Sequence, residues 1–291
     1  MPELPEVEIT ARLIGAAVTG ATIESVLAPG INAVKSFDPP LHALTGATLT
    51  GIRRRGKLFL LDASGPAGPD AELTLLVHLM SAGRLQLYDK RASLRDRTSR
   101  VLLRLAGDER ELRLREFGTK QRAWVKLLAR DALATEETLA ELGPEAWPEP
   151  PPAPELVALL AQPRPLYALL RDQHVIAGIG RSWVDEILHE AQLSPFKRGN
   201  DLDEAEAAAL RAAIVSRLGA AIAHYERTLT LPIPDKLPLP LRVHRHEGEP
   251  CPRCATKLEA VYYEDYVMSY CPHCQTDGKV LKDRRLSRLL K

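Results

Sequence analysis

The chain has 291 residues, a formal charge of +1 and 45% hydrophobic residues, enough for one large or two ordinary domains with their own cores. That composition excludes intrinsic disorder, a collagen-like repeat and a disulfide-built miniprotein. No apolar run approaches the roughly 20 residues that a bilayer crossing needs, and MPELPEVEIT, charged from its third residue, is unlike a signal peptide.

Residues 3–18 predict a helix, with Val7, Leu13, Ile14 and Ala17 at roughly helical spacing. Short strands follow at 48–52, 57–61, 73–79 and 100–105, separated by Gly, Pro and Asp turns. Regularly spaced short strands predict a β-sandwich or barrel. Residues 144–154 (PEAWPEPPPAP) hold six prolines in eleven positions, the composition of a stiff, extended linker. Helices are expected beyond it at 155–161, 166–173, 181–191 and 204–225, with Asp203 and Glu206 spaced as a capping box. Gly178-Ile179-Gly180 forms a turn between two of them, and 231–240 (LPIPDKLPLP) is a second proline-rich connector. The expected divisions are residues 1–143, a linker at 144–154, a helical domain at 155–240 and a cysteine-containing module with a basic tail at 241–291.

Charge is segregated. Segment 84–130 carries fourteen Lys/Arg against six Asp/Glu, whereas 131–163 carries seven acidic residues and no Lys or Arg. Arginine outnumbers lysine, 28 to 11. Such asymmetry is a footprint for a polyanion, and also the ordinary look of a solvated basic face.

Three motifs carry chemistry. Cys251, Cys254, Cys271 and Cys274 are the entire cysteine content, arranged as two C-x2-C pairs sixteen residues apart. A hairpin that joins two such pairs supplies four thiolates for one tetrahedral, structural Zn2+; His273, inside the second pair, reads as a bystander. At the other end, removal of Met1 leaves Pro2 with a free secondary amine. An α-amino group titrates near about 8, so part of it is an unprotonated nucleophile at neutral pH. Glu3 is placed to move a proton, or simply to begin a helix. Finally, Arg53-Arg54-Arg55-Gly56-Lys57 enters an apolar strand, either as a solvated basic turn or with Lys57 at a phosphate.

In combination, MPELPEVE, RRRGK, the GIG turn before a helix and GEPCPRC…YCPHCQ resemble, in order and over essentially the whole chain, the formamidopyrimidine-DNA glycosylase / endonuclease VIII family of base-excision repair. The resemblance implies an α+β, multi-domain protein: an N-terminal β-sandwich with a flanking helix, a helix-two-turn-helix domain and a C-terminal zinc finger with four cysteine ligands. It implies a monomer on damaged double-stranded DNA, in the cytoplasm with the nucleoid, with one structural zinc and no organic cofactor. By position, Pro2 is implied as the Schiff-base nucleophile, Glu3 as the general acid and Lys57 as the lysine at the phosphate beside the lesion. The implied reaction is excision of a damaged base followed by β- and δ-elimination. Arg115 and Phe117, in LREFGT, match the pair inserted at the vacancy that base flipping leaves.

This chain departs from the family pattern in three places. Arg181 stands where the family has Asn after Gly-x-Gly, and Tyr266 where it has Arg five residues before the third cysteine. Both family residues hold phosphates flanking the flipped nucleotide. In His78-Leu79-Met80-Ser81-Ala82-Gly83, Ser81 occupies the register of the family's void-filling Met, and Met80 stands one earlier. Strand alternation turns a residue slipped by one to the opposite face, which places Met80 in the core and leaves the wedge to Phe117 or to nothing. The short 226–240 segment tilts lesion choice toward oxidised pyrimidines, abasic sites or an unusual lesion. The altered clamps also admit a different reading, a non-catalytic damaged-DNA binder. The basic tail GKVLKDRRLSRLLK is a candidate for further phosphate contact.

Overall fold

The computed structural model describes residues 2–65, 72–263 and 266–281. They form two compact units, one made of residues 1–141 and 222–238, the other of 142–221 and 239–291.

The first unit begins with α1 (Leu4–Val18), whose Val7, Ala11, Ile14 and Val18 form the buried stripe of an amphipathic helix. Two four-stranded antiparallel sheets follow. One is ordered β1 (Ile23–Leu27), β6 (Ser99–Leu105), β7 (Glu111–Glu116), β5 (Gly83–Tyr88). The other is ordered β2 (Thr48–Arg55), β3 (Leu58–Ser64), β4 (Glu72–His78), β8 (Trp124–Ala129). Alternate residues of both sheets meet in one core: Phe59, Leu61 and Ala63 of β3, Leu75 and Val77 of β4, Leu103 and Leu105 of β6, Leu112 and Leu114 of β7. A two-residue period that buries one face of each sheet is the signature of a sandwich. The stripe of α1 packs into the same core, and a single-turn helix, α2 (Glu137–Ala140), follows β8.

Arg53, Arg54 and Arg55 lie on β2 itself, and the turn into β3 is only Gly56-Lys57, closed by the Arg55–Leu58 pair. Gly56 has φ +56°, the left-handed value that a two-residue hairpin demands at its first central position. The basic run is therefore a strand edge rather than a turn.

In the second unit, α3 (Ala153–Leu160), α4 (Leu166–Leu169) and α5 (Arg181–Glu190) precede α6 (Glu204–Thr228), whose residues from 222 onward belong to the first unit. The Asp203/Glu206 capping box is present at the start of α6: Asp203 N donates to Glu206 at 3.1 Å and Glu206 N to Asp203 at 2.8 Å. Length and composition alone would let α6 cross a membrane. Its Ala207, Leu210, Ile214, Leu218, Ile222 and Tyr225, however, are buried at three- and four-residue intervals, as in a core helix. A hairpin, β9 (Glu259–Tyr262) and β10 (Val267–Tyr270), and α7 (Pro272–Thr276) complete the unit.

Neither proline-rich connector is a free spacer. Gly143 N donates to Gln173 O and Ala146 N to Ala177 O, which ties the start of the first to the loop before α5. Part of the second, 231–238, belongs to the first unit: Ile233 enters the sandwich core, and Gln86 donates to its carbonyl at 2.8 Å. Proline removes backbone donors, but it leaves carbonyls and apolar rings free to pack.

Candidate active site and nucleic-acid interface

Pro2 is half-buried at the entry to α1, and Glu3 is the N-cap, 2% exposed. The two ends of a capping box hold it: the Glu3 side chain accepts from Glu6 N, and Glu3 N donates to Glu6 Oε2 at 2.8 Å. The other Glu6 oxygen accepts from the Tyr225 hydroxyl at 3.0 Å, in the stretch of α6 belonging to the same unit. Burial, then the neighbouring Glu6 charge, pushes the Tyr225 phenol well above its ordinary range, so it stays a donor. Nothing local in the sequence marks Tyr225; it lies 219 positions from its partner.

The Lys57 turn is tied to the same helix. Arg54, its side chain only 5% exposed, donates from Nε to Glu8 at 2.8 Å and from a terminal nitrogen to Gly56 O at 3.0 Å. Burial disfavours the Glu8 carboxylate, but hydrogen bonds from Arg54 and Arg12 outweigh it and hold its pKa below the usual value. One buried arginine thus links the helix that carries Pro2 and Glu3 to the turn that carries Lys57, itself 9% exposed.

His78 of β4 pairs with Leu58 of β3 and stacks on Trp124 at 5.6 Å. Burial, then the Lys57 charge, lowers its pKa to about 4, so it is neutral at physiological pH. Its Nδ1 accepts from Met80 N at 3.1 Å, which leaves the proton on Nε2. The strand ends there. Met80 and Ser81 sit in a turn closed by Gly83 N donating to Leu79 O at 2.8 Å, and Met80 has φ +50°. Strand alternation therefore does not govern them: Leu79 enters the core, Met80 is half-buried and Ser81 is exposed.

Arg115, on β7, donates to Thr98 Oγ1 at 3.1 Å and to the Tyr88 hydroxyl, and lies 3.4 Å from Asp235. Its guanidinium sits 4.7 Å from the centroid of Phe117, which is half-exposed just past the strand and not part of its core. Acids outside the segment offset part of the positive excess of 84–130: Arg91 pairs with Glu24, Lys126 with Glu136 and Arg130 with Glu72, while Arg104 and Arg113 share Glu111 and Arg110 meets Asp108 within it. Arg95, Arg97, Lys120 and Arg122 are exposed. Arg95 and Arg97 line a cavity of about 530 Å3 with Arg100, Thr119 and Gln121, beside the Phe117 turn.

In the second unit, Arg181 is the first residue of α5 and lies over the Tyr266 ring at 5.2 Å. Tyr266 also stacks on Tyr263 (4.3 Å, 11°) and Tyr167 (5.7 Å, 13°). The Gln173 amide donates to the carbonyls of Arg171 and Ile179 at 2.8 and 2.9 Å and accepts from Gly178 N at 3.0 Å, which locks the GIG turn.

Two family models match this chain, the formamidopyrimidine-DNA glycosylase N-terminal domain over residues 1–120 and its H2TH domain over 142–232. The formamidopyrimidine-DNA glycosylase of Geobacillus kaustophilus is 33% identical over 288 residues, spanning 94% of this chain and all of that one. The chain belongs to the formamidopyrimidine-DNA glycosylase family. An uncharacterized formamidopyrimidine-DNA glycosylase-like protein of Mycobacterium tuberculosis is 42% identical over 123 residues, covering 42% of this chain and 78% of its own. Among solved structures, the Lactococcus lactis enzyme bound to DNA containing an abasic site has a TM-score of 0.79 and 26% identity, covering 94% of this chain and 99% of its own. A relative in complex with DNA containing carbocyclic 8-oxo-G has a TM-score of 0.81, also at 26% identity, covering 94% and 100%.

In this family member the four cysteines form a cluster able to hold a metal ion, their sulfurs all within 4.8 Å of one another. Cys251–Cys274, Cys254–Cys271 and Cys254–Cys274 lie 3.9, 3.5 and 3.4 Å apart. Four thiolates at about 2.3 Å around one tetrahedral ion would stand about 3.8 Å apart, so the donor set fits. His273 is exposed, whereas His189 of α5, which the sequence did not single out, lies 3.1 Å from the Cys251 sulfur. Glu186, also on α5 and 2% exposed, accepts with one oxygen from the backbone N–H of Arg242, Val243 and His244 at 2.8–3.0 Å. Leu286 and Leu289 of the tail lie outside the described residues.

Proposed function

We propose that this chain is a bifunctional DNA glycosylase and AP lyase acting on oxidised or ring-opened bases in duplex DNA. The Pro2 amine attacks C1′ of the damaged nucleotide as the bond to the base breaks, and an iminium forms. Glu3 gives a proton to the sugar ring oxygen, and Lys57 stands at the adjacent phosphate. Loss of the 3′ and then the 5′ phosphate follows by β- and δ-elimination. The observation that carries this reading is the buried lock of Glu3, Glu6 and Tyr225, together with the Arg54 bridge from Glu8 to Gly56. It holds an acid and a cation against the helix that Pro2 begins, as catalysis by orientation requires. His78 has its proton on Nε2 and serves as a neutral donor beside Lys57.

Arg115 and Phe117 fill the hole left by the flipped base, with Met80 or Ser81 from the neighbouring turn. One Zn2+ on Cys251, Cys254, Cys271 and Cys274 is structural; with four thiolates it has no open position for chemistry. The test is borohydride trapping on a duplex with one abasic site, comparing wild type and Pro2→Gly. An adduct in wild type alone is expected. Tight binding without any adduct would overturn the lyase and leave a damaged-DNA binder, the reading that the changes at Arg181 and Tyr266 favour.

A further inference from the structure

The two positions where the family's phosphate-holding residues are replaced come together on one aromatic stack, and a third residue joins them. The Arg171 guanidinium lies 4.5 Å from the Tyr266 centroid and 5.0 Å from that of Tyr167. Arg171 therefore shares the Tyr266 ring with Arg181. Two like charges on one ring repel, and the quadrupole of the ring offsets part of that repulsion. A guanidinium lying over a ring keeps its N–H fork directed outward in its own plane, the geometry that grips a phosphate with two parallel hydrogen bonds.

The support is rigid. Gln173 fixes the carbonyls of Arg171 and Ile179 together, which sets the spacing of the two arginine-bearing segments. Tyr167 is 4% exposed, and its hydroxyl has no partner among the described residues. Such a ring is held in place for its face rather than for its polar end.

We propose that Arg171 is a DNA-gripping residue, forming with Arg181 a paired-guanidinium site on the tyrosine stack for one backbone phosphate. This replaces the Asn and Arg of the family pattern with a different device, in which the tyrosine presents the cations instead of donating itself. The proposal rests on the DNA-repair reading above.

The test uses the full-length zinc-loaded protein and a duplex with one tetrahydrofuran abasic analogue, titrated at several salt concentrations. Wild-type binding and borohydride trapping on a true abasic site come first; failure of both sinks the DNA-repair reading itself. If wild type binds, Arg171→Ala should weaken affinity about tenfold or more at fixed salt, the magnitude of one charge-assisted hydrogen bond. The slope of log K against log salt should become shallower by about one, as expected when one fewer phosphate is neutralised. Arg171→Lys should recover that slope while recovering only part of the affinity. An unchanged slope in Arg171→Ala overturns the proposal, even with weakened binding. Arg171 would then serve only to pack the tyrosine rings.

Discussion

Glu186 offers a sharp test of how the second unit is held together. One of its carboxylate oxygens accepts three backbone N–H groups, from Arg242, Val243 and His244, and the other lies 3.5 Å from Arg217. Glu186→Ala leaves those donors without an acceptor, two of them buried. A buried donor left unsatisfied costs about 1–3 kcal/mol, so the sum is about 3–5 kcal/mol once water reaches the partly exposed Arg242 N–H. Glu186→Gln keeps an acceptor in place and gives up only the charge, for about 1–2 kcal/mol. In thermal unfolding the alanine variant should melt on the order of 10 °C lower, and the glutamine variant a few degrees lower. Because residues 242–244 lead directly into the cysteine cluster, the alanine variant should also release zinc to a colorimetric chelator faster. A melting point within about 2 °C of wild type would refute the reasoning, because it would mean that water satisfies these donors.

Three further outcomes follow from the same geometry. His78, neutral in the fold with a pKa of about 4 against an ordinary 6.5, binds a proton on unfolding between those values. Its contribution is therefore complete above pH 6.5 and is lost as pH falls toward 4, by about 3 kcal/mol. Imidazole titration by NMR should find it below about 5, and a value near the ordinary 6.5 would contradict the burial. A Cβ at Gly83 would lie 2.9 Å from the Leu79 Cα and closer still to the Leu79 carbonyl oxygen. Gly83→Ala should thus displace the Met80–Ser81 turn and slow base opening, seen as a reduced signal from 2-aminopurine beside the lesion, with zinc content unaltered; wild-type opening kinetics would count against this role. Chelation of the metal under mild heating should unfold the cysteine module. Native mass spectrometry should find one zinc per chain, and Cys254→Ser should abolish it.

Much of the architecture could be read in the sequence because it rests on local rules. The apolar stripe of α1, the capping box at Asp203 and Glu206, and the alternation that buries Phe59, Leu61, Leu75 and Val77 are periodicities within single elements. The cysteine pairs were equally legible, since C-x2-C spacing is a property of the chain itself. Strands β1, β5, β7 and β8 escaped notice because charged or polar residues interrupt their short apolar runs. Only in the folded sheet do Arg104 and Arg113 find Glu111, and Arg91 find Glu24.

The charge segregation pointed to a polyanion, but counting could not tell which cations of 84–130 are already paired with acids outside the segment, as Arg91 is with Glu24 and Lys126 with Glu136. The sequence alone determined which groups are available: Pro2 next to an acid, a lysine closing a basic run, and four cysteines in two close pairs. Tertiary structure alone decided their placement. It decided that Tyr225 holds Glu6, that Arg54 joins the helix to the lysine turn, that Met80 leaves the strand, and that Arg171 and Arg181 share the Tyr266 ring. The physical reason is that a side chain's partners are set by packing in three dimensions, where pairings between residues far apart in the chain leave no local periodicity to read.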